Sequence, residues 1–261
     1  MPTPEVPQVA DRHRSSNPRS ILAAPRGPRC YRPPVPRSKL LTDACLDAAL
    51  APEDARSPQP VRFFHSGFAE ALLRAPPAAP YLLFGPLAVA LLVLPYVPTV
   101  RLFTAPLLAA ALVVAGALSW TLVEYWLHRG IFHLAPTSEA RRVARFLLHY
   151  HHHRTPSDRR RLVATPLQAG SLVALFFAVD VALTDAWSPL LAGQLVGYLL
   201  YEWVHYSAHH RQPKSRLGRA LRRHHLRHHA DGAGNYGISS PLWDWVFLSR
   251  SATRPRHHNE A

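Results

Sequence analysis

Cysteine is nearly absent from this 261-residue sequence, which contains only Cys30 and Cys45. Two cysteines with no CxxC pair exclude a disulfide-stabilised scaffold, a thiolate zinc ribbon and a cysteine-ligated iron–sulfur cluster. Acidic residues are also scarce, with 16 Asp and Glu against 30 Lys and Arg. The resulting net charge of +14 favours a nucleic acid or an anionic membrane surface as a partner. A hydrophobic content of 48% excludes a chain that is disordered throughout.

The N-terminal region differs in composition from the rest of the chain. Residues 1–60 hold 12 of the 26 prolines and lack both a hydrophobic period and the apolar segment of a signal peptide. We predict a mostly disordered tail over residues 1–60, in which LTDACLDAAL (41–50) could form a short helix, a membrane-embedded domain over residues 61–250 and a flexible tail over residues 251–261. The amphipathic stretch 61–74 is compatible with a helix on a membrane surface and with an ordinary half-buried helix.

Four long apolar runs follow this region. A helix of about 20 apolar residues crosses the hydrocarbon core of a bilayer, and four segments meet this length: 78–97, 102–127, 162–184 and 187–206. They predict an all-α integral membrane protein with four transmembrane helices in two hairpins, 78–127 and 162–206. A soluble protein with buried helices is the alternative, but such proteins rarely contain uninterrupted runs of this length.

Arginine placement predicts how these helices are oriented. The short hairpin turns carry only Arg101 and Asp185 as charged residues, whereas the loop 128–161 carries eight arginines. By the positive-inside rule, both termini and the central loop face the cytoplasm. The positive charge therefore indicates topology, and no nucleic-acid partner is expected. Only two of the basic residues are lysines, which indicates a GC-rich genome and a bacterial inner membrane, with the endoplasmic reticulum as the alternative location.

Histidine is unusually frequent. Thirteen of the 17 histidines lie between residues 128 and 229, on the predicted cytoplasmic side. They form four clusters: HRGIFH (128–133), HYHHH (149–153), HYSAHH (205–210) and HHLRHH (224–229). The other four are expected to be surface residues: His13, His65, His257 and His258. One such cluster could be a solvated basic face, but four at helical spacing on one side of a membrane predict a cap of helices that holds metal.

Helical geometry separates candidate ligands from the other histidines. Residues at i, i+3 and i+4 share one face of an α-helix, which selects three histidines from each of the second and fourth clusters and a pair from the third. His128 and His133 are five residues apart, so they converge only if the helix ends or loosens near Gly130. The ten candidate ligands are His128, His133, His149, His152, His153, His205, His209, His225, His228 and His229.

The number of candidate ligands predicts two metal ions. A mononuclear zinc site takes about four ligands, so ten imidazoles exceed what a single ion binds. Imidazole suits iron, zinc, copper and nickel, and ligand type alone therefore does not select the metal. His151, His210 and His224 point away from the shared faces and are candidates for an extra ligand or for a residue that supports one.

Two acidic residues lie beside candidate ligands near the predicted membrane boundary. Glu124 precedes His128 by four residues, and Glu202 precedes His205 by three. A carboxylate at this depth is costly unless it is paired, and a metal-ligating histidine commonly donates its second N–H to a carboxylate. We expect each glutamate to accept a hydrogen bond from its neighbouring histidine, with pairing to a nearby arginine as the alternative.

Four segments of this sequence resemble those of a known protein family, and the resemblance covers residues 61–250. They are EYWLHRGIFH, HYHHHRTPSDRRRLVATP, LLYEWVHYSAHH and LRRHHLRHHADGAGNYGISSPLWDWVF. Together they resemble the fatty acid hydroxylase superfamily of integral-membrane di-metal enzymes, which includes sterol desaturases. The segment HHRTPSDRRRLVATP resembles the HHxxPxDxxRLVxPP pattern of the fatty acid 2-hydroxylases, with Ala164 and Thr165 before Pro166. Sterol desaturases share the histidine boxes but differ in this segment.

The resemblance implies a membrane di-iron oxygenase that hydroxylates a lipid acyl chain at C2 of a fatty acid or sphingolipid. The ten histidines would hold two ions, iron foremost and zinc as an alternative in purified protein, and O₂ would be a co-substrate. No catalytic residue beyond the metal ligands is implied. Asn235, Tyr236 and Asp244 would support the ligands. His151 departs from the family pattern. Residues 1–60 contain no HPGG haem motif, so a ferredoxin or cytochrome b5 type of donor with its reductase would be a separate protein.

Two other functions are compatible with parts of this pattern. The same scaffold could hydroxylate or desaturate a sterol or carotenoid. A histidine-rich metal transporter is the more distant alternative, because transporters place their ligands near the middle of the bilayer, whereas every cluster here lies at or beyond a predicted helix end. The sequence makes no prediction of oligomeric state.

Overall fold

The computed structural model describes residues 38–52, 55, 57, 59–97 and 104–251. The regular secondary structure of this part of the chain is helical, apart from an isolated antiparallel bridge between Leu41 and Phe64. Two of its helices continue into π-helical turns, one over Leu127–Phe132 and the other over Phe146–Tyr150. The helices are α1 (Asp43–Leu50), α2 (Gly67–Leu72), α3 (Ala79–Val93), α4 (Pro106–Trp126), α5 (Glu139–Arg145), α6 (His151–Arg154), α7 (Pro166–Leu183), α8 (Trp187–His210), α9 (Arg216–Asp231) and α10 (Leu242–Val246).

Local sequence signals define the ends of the long helices. Pro106 and Pro166 occupy first helical positions, where the missing N–H costs nothing. Thr165 caps α7 in a capping box with Gln168, whose side chain accepts a hydrogen bond from the Thr165 amide at 2.9 Å. Ser215 caps the start of α9, and Gly232 ends that helix in the left-handed conformation with φ of +68°.

Three helices in the described part of the chain are long and apolar enough to cross a membrane. They are Ala79–Tyr96, Pro106–Phe132 and Pro166–Leu183. Their outer faces expose large apolar side chains such as Leu82 and Leu107. These helices match three of the four predicted spans. The fourth predicted span corresponds to α8, which is not among these three helices, so this span remains a prediction. The two hairpins and their orientation also remain predictions. Residues 98–103, in the turn of the first hairpin, lie outside the described residues.

The central element is α8, against which α3, α4 and α7 all pack. Buried residues follow much of its length, including Ala192, Leu195 and Tyr198. The contact between α4 and α8 depends on glycine. A side chain added at Gly193 would overlap the backbone of Val113, and one added at Gly197 would lie 2.7 Å from Cβ of Trp120. Small residues therefore let these two helices approach closely.

The short helix that the sequence allows at residues 41–50, within the predicted N-terminal tail, is present as α1. Helix α1 buries Cys45 and Ala49 against Phe63, Phe146 and Tyr150 in one apolar cluster. The apolar residues of LTDACLDAAL lie on one face of α1, and the aromatic residues of this cluster cover that face. This contact stabilises the short helix. The rest of the predicted tail up to residue 37, and the predicted flexible tail beyond residue 251, lie outside the described residues.

The amphipathic stretch 61–74 forms only the short helix α2, preceded by extended chain. Phe63 is buried beneath the histidine-bearing helix α6, whereas Phe68 is 76% exposed. The segment is therefore half-buried: Val61, Phe64 and Leu73 pack against the same apolar cluster as Phe63, and Leu72 is exposed like Phe68.

Candidate metal centre

The structure brings the ten candidate histidines together in two groups of five. In each group the candidate ligand atoms all lie within 4.8 Å of one another. The first group consists of His128, His133, His149, His153 and His228. The second group consists of His152, His205, His209, His225 and His229. Eight of the ten are buried, and His133 and His209 are partly exposed.

A π-helical turn brings His128 and His133 to the same face. The His133 amide donates to the His128 carbonyl at 3.0 Å, which is an i→i+5 hydrogen bond. This wider turn holds more residues than an α-helical turn, so two side chains that an α-helix would separate now converge. The expectation that the helix loosens near Gly130 is confirmed.

Histidines from one helical face divide between the two groups. His149 and His153 belong to the first group, whereas His152 belongs to the second. On α9, His228 joins the first group, and His225 and His229 join the second. Two pairs of consecutive histidines, 152–153 and 228–229, therefore each contribute to both groups. The shared face predicted from helical spacing runs along the boundary between the groups.

Hydrogen bonds fix the orientation of key rings. His128 Nδ1 lies 2.6 Å from the Tyr236 carbonyl, and His228 Nδ1 lies 2.8 Å from the Gly234 carbonyl. A carbonyl only accepts, so each Nδ1 carries the proton and each Nε2 presents a lone pair. His228 Nε2 lies 3.0 Å from His133 Nε2, and His128 Nε2 lies 3.1 Å from His149 Nε2.

The donor set fits a metal ion. Metal–nitrogen bonds of about 2.1 Å place two ligand atoms at right angles about 3.0 Å apart. The second group has the same spacing, with 3.0 Å between the Nε2 atoms of His205 and His152 and 2.7 Å between those of His209 and His225. Converging lone pairs repel one another unless a cation lies between them, so both groups have the chemistry of a metal site.

Burial keeps the imidazoles neutral, as ligation requires. Removal from water lowers the pKa of His228 to about 4 from its ordinary 6.5. Burial likewise holds the pKa of His153 and His225 well below the ordinary range, and neighbouring histidines lower it further. A neutral imidazole has a free lone pair, so these side chains can bind metal at neutral pH without first releasing a proton.

The segment after the fourth cluster supports the first group. Asp244 is fully buried and accepts hydrogen bonds from the amides of Tyr236 and Gly237, both at 2.8 Å. It also accepts from Ser249 Oγ at 2.7 Å and contacts His224 Nε2 at 3.0 Å. These contacts hold the loop that presents the Tyr236 carbonyl to its histidine. Asp244 thus orients a candidate ligand without touching it.

Asn235 and His224 contribute to the same arrangement. Asn235 adopts a left-handed φ of 54°, which asparagine tolerates better than most residues. Its side chain donates to the His224 carbonyl at 3.2 Å and accepts from the Ser251 amide at 3.0 Å. His224 therefore ties α9 to Asp244 and lies outside both groups of five.

The expected partners of the two glutamates are wrong. Glu124 accepts from the amide of Ser239 at 2.9 Å and also from the Ser239 hydroxyl and the Ile238 amide. Its position on α4 therefore anchors the loop after the fourth cluster, and the Tyr236 carbonyl takes the N–H of His128 instead. Glu202 accepts from the Ala164 amide at 2.9 Å, which ties α8 to the start of α7.

His151 is part of a buried polar network on the far side of α6. Its Nε2 lies 3.3 Å from Asp158, and Arg161 bridges Asp158 at 3.2 Å to Glu70. The Phe63 ring lies against both His151 and the Arg161 guanidinium, with the latter 3.9 Å from the ring centre. The network anchors α6 to α2 through Glu70 and to the segment before α2 through Phe63. His151 and His210 both lie outside the two groups of five.

A largely apolar cavity of about 440 Å³ leads to the histidines. It lies among α4, α7 and α8, and Trp120, Phe176 and Leu195 are among its lining residues. Four candidate ligands also line it, two from each group: His128, His149, His152 and His205. Its volume falls in the range of small-molecule sites. The cavity therefore gives an apolar ligand access to both groups.

Comparison with known proteins identifies the family of this chain. The family model described as fatty acid hydroxylase matches residues 113–249, which is more than half of the chain. The chain belongs to the fatty acid hydroxylase family. The match includes all four histidine clusters of this family member, together with the loop that Asp244 holds. It does not include α1, α2 or α3.

Curated relatives from several organisms resemble this hydroxylase-family chain. A dihydroceramide fatty acyl 2-hydroxylase of Arabidopsis thaliana is 43% identical over 140 residues, covering 52% of this chain and 59% of the relative. The fatty acid 2-hydroxylase of Homo sapiens is 32% identical over 218 residues, covering 76% of this chain and 58% of the relative. The chain thus spans about three fifths of the length of these relatives.

A solved structure has a similar fold. It is described as full-length scs7p with only the hydroxylase domain visible, and it matches with a TM-score of 0.69 and 28% identity. The match covers 84% of this chain and 83% of that one. The resemblance inferred from the histidine motifs is therefore confirmed at the level of the family.

Sequence reasoning missed three functional features. The Gly234 and Tyr236 carbonyls are backbone groups, which no residue type identifies. Glu70 lies far along the chain from its partner Arg161. The motif PSDRRR did contain a signal, because an acidic residue directly before three arginines is well placed for a buried ion pair.

Proposed function

We propose that this protein is a membrane di-iron oxygenase that hydroxylates a lipid acyl chain at C2 of a fatty acid or sphingolipid. One atom of O₂ enters the product, and a separate donor protein supplies the electrons. The observation that supports this proposal is the apolar cavity that ends on two groups of five histidines. Relatives named as fatty acid and dihydroceramide fatty acyl 2-hydroxylases support the same reaction class.

Iron, held by the ten histidines, would supply the redox chemistry that breaks an unactivated C–H bond, which side chains alone cannot do. The residues of the chain have other tasks. The neutral Nε2 atoms would hold the ions, and the backbone carbonyls of Gly234 and Tyr236 would keep His228 and His128 in the ligating tautomer. Six of the ten histidines do not line the cavity, and they would complete each group from its other side.

The cavity would position the substrate. Its lining follows one stripe of α8 from Gln194 to His205, a length of about 16 Å at 1.5 Å per residue. An extended acyl chain would lie along this stripe, past Trp120 and Phe176, with its apolar end toward Gln194. Its polar end would then remain at the histidine end of the cavity, which brings the carbon next to the carboxyl or amide group toward the metal groups.

The proposed topology places this end of the cavity at the cytoplasmic membrane boundary. Helix α8 would be the fourth span, because it runs antiparallel to α7 from the short turn at residues 184–186. The arginine-rich loop 128–161 and both termini would face the cytoplasm. We propose a bacterial inner membrane, with the endoplasmic reticulum as the alternative. The donor would be a ferredoxin or a cytochrome b5 type of protein with its reductase.

Expression with a reductase system and analysis of total lipids tests this function. We expect 2-hydroxy acyl chains to rise with the wild type and to be lost in His152→Ala. His65→Ala, which changes a histidine outside both groups, is the matched control and should keep the activity. Intact metal loading without any 2-hydroxy product would refute the C2 assignment. A desaturated lipid or a hydroxylated sterol or carotenoid in the same samples would identify the alternative reaction.

A further inference from the structure

A second cavity, of about 330 Å³, lies between the end of α8 and the start of α9. It shares no lining residue with the apolar cavity among α4, α7 and α8, which is called the acyl-chain cavity below. Three of its lining residues are basic: Arg211, Lys214 and Arg222. No acidic residue lines this cavity in the described part of the chain. A concave site with one sign of charge concentrates ligands of the opposite sign.

Two further features favour an anion over any other ligand. Ser215 caps α9, and the start of this 16-residue helix lines the cavity through Ser215 and Gly218, where the helix dipole adds positive potential. Ser207 lines the cavity from α8 and is only 9% exposed. Among the described residues, its buried hydroxyl has no hydrogen-bond partner. A buried hydroxyl without a partner is costly, and a ligand oxygen would relieve this cost.

The basic side chains are oriented by other contacts. Arg222 donates from Nε to the Ala208 carbonyl at 3.0 Å, which holds the guanidinium at the cavity wall. The Arg211 guanidinium lies 4.4 Å from the ring centre of Trp203, which is 48% exposed. Tryptophan is enriched where a membrane helix meets the headgroup layer. The cavity thus lies where an α8 that spans the membrane would emerge from it.

We propose that this cavity binds a phosphate group, presented either by an anionic phospholipid at the membrane boundary or as a free phosphate ion. Guanidinium, ammonium and hydroxyl donors beside a helix N-terminus are together typical of phosphate recognition. The ligand would bridge α8 and α9, the two helices that supply four histidines of the second group. Binding therefore stabilises this part of the fold, whether or not the protein hydroxylates C2.

Thermal unfolding of the full-length protein in detergent tests the proposal. The probes are dihexanoyl phosphatidylglycerol, inorganic phosphate, and dihexanoylglycerol as a lipid that lacks phosphate. We expect a phosphate-containing probe at a hundredfold excess over its Kd to raise Tm by about 5 °C or more. Dihexanoylglycerol should leave Tm unchanged. A response to phosphatidylglycerol alone assigns the lipid headgroup, and a response to inorganic phosphate assigns the free ion.

Charge-matched variants separate a built site from a generally basic surface. Lys214→Gln and Arg222→Gln should each weaken binding about tenfold, because each removes a charge-assisted hydrogen bond. Arg216→Gln is the control, since Arg216 is exposed on the same helix but does not line the cavity. Should Arg222→Gln fail to fold, Lys214→Gln and Ser207→Ala decide the question. The proposal is overturned if neither phosphate probe raises Tm, or if Arg216→Gln weakens binding as much as Lys214→Gln.

Discussion

Asp244→Asn tests whether a residue that contacts no ligand controls the first group of histidines. The carboxylate accepts hydrogen bonds on both oxygens, from the amides of Tyr236 and Gly237 and from two side chains. Asparagine has the same shape but keeps only one acceptor oxygen, so two buried donors lose their partner. Each such loss costs about 1–3 kcal/mol, and the free energy of unfolding should fall by about 2–6 kcal/mol.

The effect on metal should be confined to one group. The Tyr236 carbonyl holds His128, so a displaced loop weakens the first group of five, and loss of such a supporting contact typically costs 10–100-fold in metal affinity. We would dialyse the iron-loaded protein against a chelator and measure metal per chain by mass spectrometry. The variant should lose the ion of the first group at chelator concentrations at which the wild type retains both ions.

Asp43→Asn is the matched control, because it removes the same charge from an exposed position at the start of α1. It should retain both ions and an unchanged Tm. The reasoning is refuted if Asp244→Asn retains both ions at every chelator concentration that the wild type tolerates. Equal loss of both ions would also contradict the assignment of this loop to the first group.

Three further predictions concern packing, substrate and pH. Gly193→Ala should lower Tm by several degrees, because the added methyl group forces α4 and α8 apart; Gly170→Ala, which has open space at its Cβ position, should not. Leu172→Trp fills the acyl-chain cavity and should shift hydroxylated products to shorter chains in lipid profiles, whereas Val179→Trp, outside the cavity, should leave them unchanged. In metal-free protein, the pKa of His228 is about 4 in the folded state against 6.5 in the unfolded chain. As the pH falls from 6.5 to 4, the unfolded state therefore takes up a proton that the folded state does not. The free energy of unfolding should fall by up to about 3 kcal/mol over this range. A Tm that does not change over this pH range would contradict the neutral state of the ring.

The histidines could be found from sequence because their spacing follows helix geometry. His225, His228 and His229 share a face in any α-helix, and the structure brings all three into the two groups. Even the irregular pair His128 and His133 was accessible, since their separation of five residues requires a departure from the α-helix. Local periodicity thus specifies which side chains converge, provided that the helices themselves form.

The division between the groups and the identity of the supporting residues depend on tertiary structure. His152 and His153 are neighbours in the chain, and only the positions of α4, α8 and α9 around them decide which group each one joins. Glu124 lies one turn before His128, but its carboxylate accepts instead from Ser239, which is 115 residues away. The sequence allowed the short helix α1 but not its docking, because its stability comes from contact with Phe146 and Tyr150, which lie far along the chain.

The contacts of Arg154 with the end of α1 indicate which part of the chain a shortened protein must retain. It directly follows the last histidine of the second cluster, and its guanidinium donates to the carbonyls of Ala51 and Pro52, both at 2.8 Å, and to that of Ala48. A shortened protein that began at α3 would leave this buried cation without these acceptors and would uncover Phe146. The smallest folding unit is therefore larger than the family match over residues 113–249, and expression trials should retain the chain from residue 38 onward.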